Sequence, residues 1–138
     1  MTLETKKLGD LGEKIAAKYL KKQGYKILGR NFRYKKFGEI DIIAKKKNTK
    51  DVVFIEVKTR YKRKFKEISN NYAPEDNITY FKQKQLIKLA KIYLAQNLDK
   101  EKIKTHIPWQ IDIIAIEIDP ISQKFNLRHI KQAIGDFC

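Results

Sequence analysis

Two nearly continuous apolar segments in the first half of the chain constrain its fold more than any other feature. Residues 39–44 are Glu-Ile-Asp-Ile-Ile-Ala, and residues 52–59 are Val-Val-Phe-Ile-Glu-Val-Lys-Thr. Strands that are apolar at consecutive positions are usually covered on both faces, as at the centre of a layered sheet. Turn-forming residues 48–51 lie between them. The sequence therefore predicts two buried central strands that pair as a hairpin.

Helical spacing of apolar residues is found on either side of this hairpin. It extends over residues 8–23, after which Gly24 provides a typical C-terminal stop. The same spacing returns over residues 79–97, where Thr79 is the expected N-cap. Both segments are predicted to be long amphipathic helices.

β-forming residues are enriched in three further segments, 25–34, 109–118 and 125–130. Residues 60–77 have no apolar period and exceed the usual length of a connection, so they are predicted to be a functional loop or arm. The resulting order of elements predicts an α/β or α+β fold with helices packed on a mixed sheet. A chain of 138 residues has the usual size of one domain, and we expect a single domain over residues 1–138.

The charge balance favours a polyanionic partner. Lysine and arginine number 31 against 16 aspartate and glutamate, which gives a formal net charge of +15. Hydrophobic residues make up 42% of the chain, enough for a core, so the charge does not reflect a disordered basic tail. We therefore expect a folded protein that binds nucleic acid.

The sequence argues against a membrane protein, a secreted protein and a cysteine- or histidine-based metal site. Apolar runs such as residues 52–55 are far shorter than the roughly 18 residues that cross a bilayer, and no secretory signal is apparent. We expect no membrane partner and a cytoplasmic location. Cys138 is the single cysteine, and the two histidines, His106 and His129, have no third ligand, so we expect neither disulfides nor a thiolate or histidine metal site.

Two acidic residues lie inside the apolar strand segments, where burial of a carboxylate is costly. They are Asp41 and Glu56. Lys58 follows Glu56 by two positions, so both side chains project from the same face of a strand. A hairpin can bring Asp41 opposite Glu56. The sequence thus predicts two carboxylates and an ammonium in one place.

This combination of side chains suits phosphodiester hydrolysis. Hard divalent cations bind through one or two carboxylates plus water and substrate phosphate. Asp41 and Glu56 offer these oxygens, and the Lys58 ammonium can orient a water or stabilise a developing anion. A structural ion pair at a strand end is the alternative that these residues leave open.

The motif Asp41 … Glu56-Val57-Lys58 resembles the PD-(D/E)xK nuclease signature. Its context resembles the YraN-like family of predicted endonucleases, which are related to archaeal Holliday-junction resolvases, over nearly the whole chain. The matching segments are residues 9–13, 24–28, 30–33, 38–44 and 54–60, with Ala16, Ala17, Lys82, Ala90 and Leu94. The resemblance implies a restriction-endonuclease-like α/β fold, in which a mixed β-sheet is flanked by helices.

The resemblance also implies roles for individual residues. Asp41 and Glu56 would be ligands of Mg²⁺ or Mn²⁺, and Lys58 would be the catalytic base or anion stabiliser. Glu13 would be an additional catalytic acid near the metal, with an exposed helix residue as its alternative. Glu13 is thereby also a candidate metal ligand.

Nucleic-acid contacts are expected from residues near Lys58. By the resemblance Thr59, Arg60 and Lys82 would line the path of the phosphates. Arg63 and Lys64 follow in the basic run after the motif and are expected to contact phosphate as well.

The segment around residues 109–112 contains two residues with a structural interpretation and one departure from the family. Asp112 is interpreted as a structural carboxylate that holds a basic partner, and Trp109 as a core or sheet-edge aromatic residue that can also stack on an unpaired base. Gln110 stands where the family usually has arginine.

Three functions remain open at this point. The first is a DNA-binding, metal-dependent endonuclease, specific for branched or flapped DNA and, by the resolvase analogy, a homodimer. The second is a catalytically weak or inactive nucleic-acid-binding module on the same fold. The third is a basic interaction protein of an RNA assembly. The intact set of Asp41, Glu56 and Lys58 favours the nuclease.

Overall fold

The computed structural model describes residues 3–62, 78–97 and 107–135, and the predicted order of elements is confirmed there. The elements are α1 (Leu3–Lys22), β1 (Tyr25–Arg33), β2 (Glu39–Lys46), β3 (Val52–Tyr61), α2 (Tyr80–Asn97), β4 (Trp109–Ile118) and β5 (Phe125–Ile134). Gly24 follows α1 with a φ of 90°, a conformation that ends helices. The Thr79 hydroxyl accepts a hydrogen bond from the Lys82 amide at 3.1 Å, as expected of an N-cap.

The five strands form one mixed sheet in the order β1-β2-β3-β4-β5. β3 and β4 are parallel, and the other neighbours are antiparallel. The predicted central hairpin is β2–β3, with Ile42 opposite Ile55 and Lys45 opposite Val52. The α/β class with helices on a mixed sheet is therefore confirmed.

Both faces of the sheet are covered, which explains the continuous apolar segments. Ile43 and Phe54 belong to a cluster that includes residues of α2, and Trp109 packs against it as predicted. Ile42 and Ile55 belong to a second cluster that includes residues of α1. Neither of the two described helices is long and apolar enough to cross a membrane.

Several boundaries differ from those predicted. β5 ends at Ile134 rather than at residue 130, because its ladder with β4 extends to the pair of Ile111 with Ile134. α1 begins at Leu3 rather than at residue 8, because its first turns are exposed and leave no apolar stripe in the sequence. Arg60 and Tyr61 belong to β3 rather than to a loop, because β4 continues the ladder opposite them. The remainder of the predicted loop, from residue 63 on, lies outside the described residues.

Candidate metal and nucleic-acid site

Asp41 lies where the β2–β3 ladder ends. The last pair of that ladder is Ile42 with Ile55, and Asp41 and Glu56 are the next residues on the two strands. The Val57 amide donates a hydrogen bond to Asp41 Oδ2 at 2.7 Å. The side chain thus supplies the acceptor that a neighbouring backbone carbonyl provides elsewhere in a sheet. This contact fixes the carboxylate beside the opening hairpin.

Three carboxylates converge at this point from two elements. Oxygens of Glu13 on α1 and of Glu39 and Asp41 on β2 all lie within 4.8 Å of one another. We call these three residues the acid cluster. Glu13 and Asp41 are predicted site residues, whereas Glu39 is not among them. The signal was present, since Glu39 stands two positions before Asp41 and strand side chains alternate.

Glu56 is the most buried acid beside the acid cluster. Only 5% of the residue is exposed, and its Oε2 atom has no hydrogen-bond partner among the described residues. Its Oε1 atom lies 4.0 Å from Lys82 Nζ of α2. Burial of a carboxylate oxygen without a hydrogen-bond donor costs free energy, so Glu56 Oε2 is suited to bind a cation or a water.

The acids around Asp41 disfavour one another's ionisation. Burial and then the charge of Glu56 raise the pKa of Asp41 to about 8, against a smaller lowering by the Val57 amide. Burial also raises the pKa of Glu56, although Lys82 and Lys58 oppose the shift. The pKa of Glu13 is raised, again mainly by burial. A divalent cation would relieve this repulsion, so the residues present fit such an ion.

Asn31 and Arg33 on β1 hold two members of the acid cluster in place. The Asn31 amide donates hydrogen bonds to Glu13 Oε1 at 2.9 Å and to Glu39 Oε1. Arg33 donates from Nε and Nη2 to Glu39 Oε2 at 2.8 and 2.7 Å. Both residues lie in a segment that carried the family resemblance, yet sequence reasoning gave neither a role.

Gly12 sets the distance between α1 and β3. A Cβ atom at this position would lie 1.8 Å from Thr59 Oγ1, so only glycine allows so close a contact. This close approach places Glu13, the next residue, beside Glu39 and Asp41 at the start of β2. Thr59 Oγ1 is buried in this contact and has no hydrogen-bond partner among the described residues.

The remaining predicted site residues lie at different places. Lys58 is half-buried and acts electrostatically on Glu56. Lys82 reaches Glu56 from the first turn of α2. Arg60 pairs with Glu117 at 3.4 Å, farther along β3. Arg63 and Lys64 lie outside the described residues.

Comparison with known proteins identifies a family. Residues 12–116 match the model of the uncharacterised protein family UPF0102. The chain belongs to UPF0102. A UPF0102 protein of Caldanaerobacter subterraneus subsp. tengcongensis is 39% identical over 133 residues, 96% of this chain and 95% of that protein. A second, from Clostridium botulinum strain Loch Maree, is 41% identical over 128 residues, 93% of this chain and 94% of its own length.

Membership of UPF0102 confirms the family part of the resemblance found in the sequence. The family description states no activity, so the nuclease assignment stays a prediction. Among solved structures, the chain is similar to Pyrococcus furiosus SfsA in complex with Ca²⁺, with a TM-score of 0.40 and 18% identity. That similarity covers 96% of this chain and 65% of the SfsA chain.

Asp112 of this UPF0102 chain has the structural role predicted for it. It is 0% exposed, and His129 Nε2 lies 2.7 Å from its Oδ2 atom. The Gln132 amide and Gln110 Nε2 donate to Oδ1 at 2.9 and 2.8 Å. Burial alone would raise the pKa of Asp112, but the hydrogen bonds together lower it. The basic partner expected from the sequence is therefore His129.

Proposed function

We propose that this UPF0102 protein is a metal-dependent endonuclease that hydrolyses phosphodiester bonds in branched or flapped DNA. The observation that carries the proposal is that Glu13 and Asp41 of the acid cluster offer oxygens within 4.8 Å of each other, beside the buried Glu56, whose Oε2 has no hydrogen-bond partner among the described residues. Acidic side chains placed this close together do not stabilise a fold, because they repel one another. They are well suited to act together as ligands of a hard cation.

Mg²⁺ or Mn²⁺ is the cofactor that suits these donors. Asp41 and Glu56 would hold it, with Glu13 as a further oxygen ligand. Glu39 is engaged on both oxygens by Asn31 and Arg33, so it would position Asn31, which also donates to Glu13, rather than bind the cation. When bound, such a cation lowers the pKa of a coordinated water and neutralises charge on a phosphodiester.

Two lysines are placed to act on the phosphate. Lys58 projects from the same face of β3 as Glu56, and its charge already acts on that carboxylate. Its ammonium would stabilise the negative charge that develops on the phosphoryl oxygens. Lys82 approaches Glu56 from α2 and would neutralise a neighbouring phosphate.

The second candidate function is a nucleic-acid-binding module without cleavage. The net charge of +15 favours it as much as it favours the nuclease, since both need a polyanionic partner. The two differ in whether the carboxylates are needed. A binder gains nothing from buried acids that repel phosphate.

Cleavage of defined DNA substrates tests the proposal. The purified protein is incubated with single-stranded, duplex, flapped and four-way DNA in Mg²⁺ or Mn²⁺, and products are resolved by electrophoresis. We expect metal-dependent cutting of at least one branched form. Glu56→Gln keeps the shape of the side chain but removes a ligand charge, and Lys58→Met removes the ammonium, so each should reduce the rate at least 100-fold.

Glu4→Gln is the matched control, because Glu4 is exposed in the first turn of α1 and far from β3 in sequence. It should cut as the unmodified protein does, and all variants should keep their melting curves. A preparation inert on every substrate in both metals would overturn the nuclease in favour of the binding module. Undiminished cutting by Glu56→Gln would reject this site.

A further inference from the structure

Two adjoining clefts lie at the C-terminal end of β2, whereas the acid cluster lies at the N-terminal end of the same strand. Their volumes are about 430 and 280 Å³, and both are lined by Tyr25, Lys46 and Lys47. The C-terminal end of α1 and the start of β1 border the larger cleft, and β5 borders the smaller one. We call the pair the lysine cleft.

Six lysines from four elements and one turn line this surface: Lys21, Lys26, Lys45, Lys46, Lys47 and Lys131. None of the described residues that line it is acidic. Within the described part of the chain, none of the six ammonium groups pairs with a carboxylate. Lysines on a convex surface are simply solvated, but like charges that converge on a concave surface concentrate a positive potential. The lysine cleft is therefore matched to an anion.

The floor of the lysine cleft is fixed by a chain of hydrogen bonds. The Tyr19 hydroxyl lies 2.9 Å from His129 Nδ1, and His129 Nε2 lies 2.7 Å from Asp112. The His129 side chain is only 5% exposed, and Tyr25 tilts against it with ring centroids 6.1 Å apart. These contacts tie α1, β1, β4 and β5 together, so the segments that carry Lys21, Lys26 and Lys131 are held in position before any ligand arrives.

Tyr25 adds a second chemical feature. It is half-buried and lines both clefts, so an aromatic side chain borders a surface that is rich in lysine. Proteins that bind single-stranded nucleic acid combine a basic groove along the backbone with aromatic rings on which bases stack. A free phosphate ion would use the ammonium groups but not the ring.

We propose that the lysine cleft binds the phosphodiester backbone of the same nucleic acid whose scissile phosphate lies at the acid cluster. Asp41 and Lys46 are five residues apart on β2, which at about 3.4 Å per residue separates the two places by roughly 17 Å. Duplex DNA advances 3.4 Å per phosphate on each strand, so a substrate that reaches both spans about five base pairs. The inference rests on the nucleic-acid-binding part of the proposed function, and it is independent of cleavage.

Binding without cleavage tests this proposal. The affinity of a 20-base-pair duplex is measured by fluorescence anisotropy in Ca²⁺ between 50 and 200 mM salt. The cleft variant combines Lys46→Ala, Lys47→Ala and Lys131→Ala. The control combines Lys6→Ala, Lys18→Ala and Lys124→Ala, which removes the same charge from exposed lysines that do not line the lysine cleft.

We expect the cleft variant to bind at least tenfold more weakly at 100 mM salt. The slope of log K against log salt should become shallower by 1 to 3, since each phosphate contact contributes about 0.9. The control should stay within threefold of the unmodified protein. Equal losses in the two variants would overturn the proposal in favour of diffuse charge.

Two further arms separate the sources of phosphate. Inorganic phosphate and a nucleoside monophosphate are titrated as competitors from micromolar to millimolar concentration in buffer without Ca²⁺, and hairpin duplexes of 4 to 20 base pairs are compared. We expect little competition and a gain in affinity once the duplex exceeds about five base pairs. Displacement of DNA by either small anion at micromolar concentration would instead identify a small-molecule phosphate site. Since cleavage is scored separately, an inactive enzyme whose cleft variant still loses affinity would reject the nuclease and keep the lysine cleft.

Discussion

Asp41 and Asp112 are both aspartates in strands of the same sheet, yet their surroundings differ in kind. Asp112 receives hydrogen bonds from Gln110 and Gln132 and pairs with His129, and its pKa is lowered. Asp41 receives one backbone hydrogen bond and faces other acids, and its pKa is raised to about 8. The hydrogen-bonding capacity of the Asp112 carboxylate is satisfied by other residues of the chain. The Asp41 carboxylate instead lies among other acidic side chains.

This difference separates a structural acid from a binding acid. A buried carboxylate that the fold satisfies contributes to stability and has no spare oxygen for a ligand. Beside the acid cluster, Glu56 Oε2 has no donor among the described residues, and the neighbouring acids repel one another. Perturbed acids of this kind are concentrated at functional sites. The comparison can be tested by removing each carboxylate in turn.

The largest effect on stability is expected at Asp112. Asp112→Ala leaves three donors, among them the nearly buried Nε2 of His129, without their acceptor and should lower the free energy of unfolding by about 3 to 5 kcal/mol. Asp112→Asn should lose less, because an amide oxygen still accepts from Gln110 and Gln132. Urea denaturation at pH 7 measures both. A loss below 1 kcal/mol in Asp112→Ala would contradict the structural role.

The pH dependence at Asp112 has a definite sign. Its pKa is lower in the folded protein, so its contribution is present at neutral pH. The contribution is lost as the pH falls below the ordinary aspartate value and through the folded pKa. Asp112→Ala should accordingly differ least from the unmodified protein in acid.

Asp41→Asn should have the opposite effect in metal-free protein. The pKa of Asp41 rises from an ordinary value of 3.8 to about 8 on folding, so ionisation of this group destabilises the folded state. The penalty is absent below pH 4 and grows as the pH rises towards 8. We expect Asp41→Asn to be more stable by about 1 to 3 kcal/mol at pH 8 and nearly neutral at pH 4.

Thermal melts in EDTA from pH 4 to pH 8 check this expectation, with a parallel series in Mn²⁺. The metal should raise the melting temperature of the unmodified protein and have little effect on Asp41→Asn. A variant that is less stable than the unmodified protein at pH 8 in EDTA would place Asp41 with Asp112 as a structural acid.

The elements of the fold could be predicted because their signals are local. Runs such as residues 52–59 and the helical spacing of residues 79–97 depend on near neighbours in the chain. Family motifs also drew attention to Asp41 and Glu56, whose proposed metal role stays a prediction. The structure adds their surroundings, namely burial, missing donors and mutual repulsion.

Other features depend on the register between distant segments. Asn31 and Arg33 reach Glu39 because β1 pairs with β2 so that Phe32 lies opposite Ile40. The partner of Asp112 is His129 on β5, and the sequence predicted its chemistry but not its identity. The lysine cleft likewise combines side chains from elements that are far apart in sequence. Such contacts are tertiary, and no local pattern encodes them.

The smallest effect is expected at Thr59, where a buried hydroxyl that has no partner among the described residues faces Gly12. Thr59→Val replaces this hydroxyl by a methyl group of similar size, so the folded protein no longer buries an unsatisfied polar atom. We expect a gain of about 0.5 to 1 kcal/mol in the free energy of unfolding. DNA affinity should be unchanged, because Oγ1 points into the contact with α1. A loss of stability would mean that the hydroxyl has a hydrogen-bond partner. A loss of DNA affinity would instead support the phosphate contact predicted for Thr59 from the family resemblance. Denaturant titration and anisotropy on the same preparation distinguish these results.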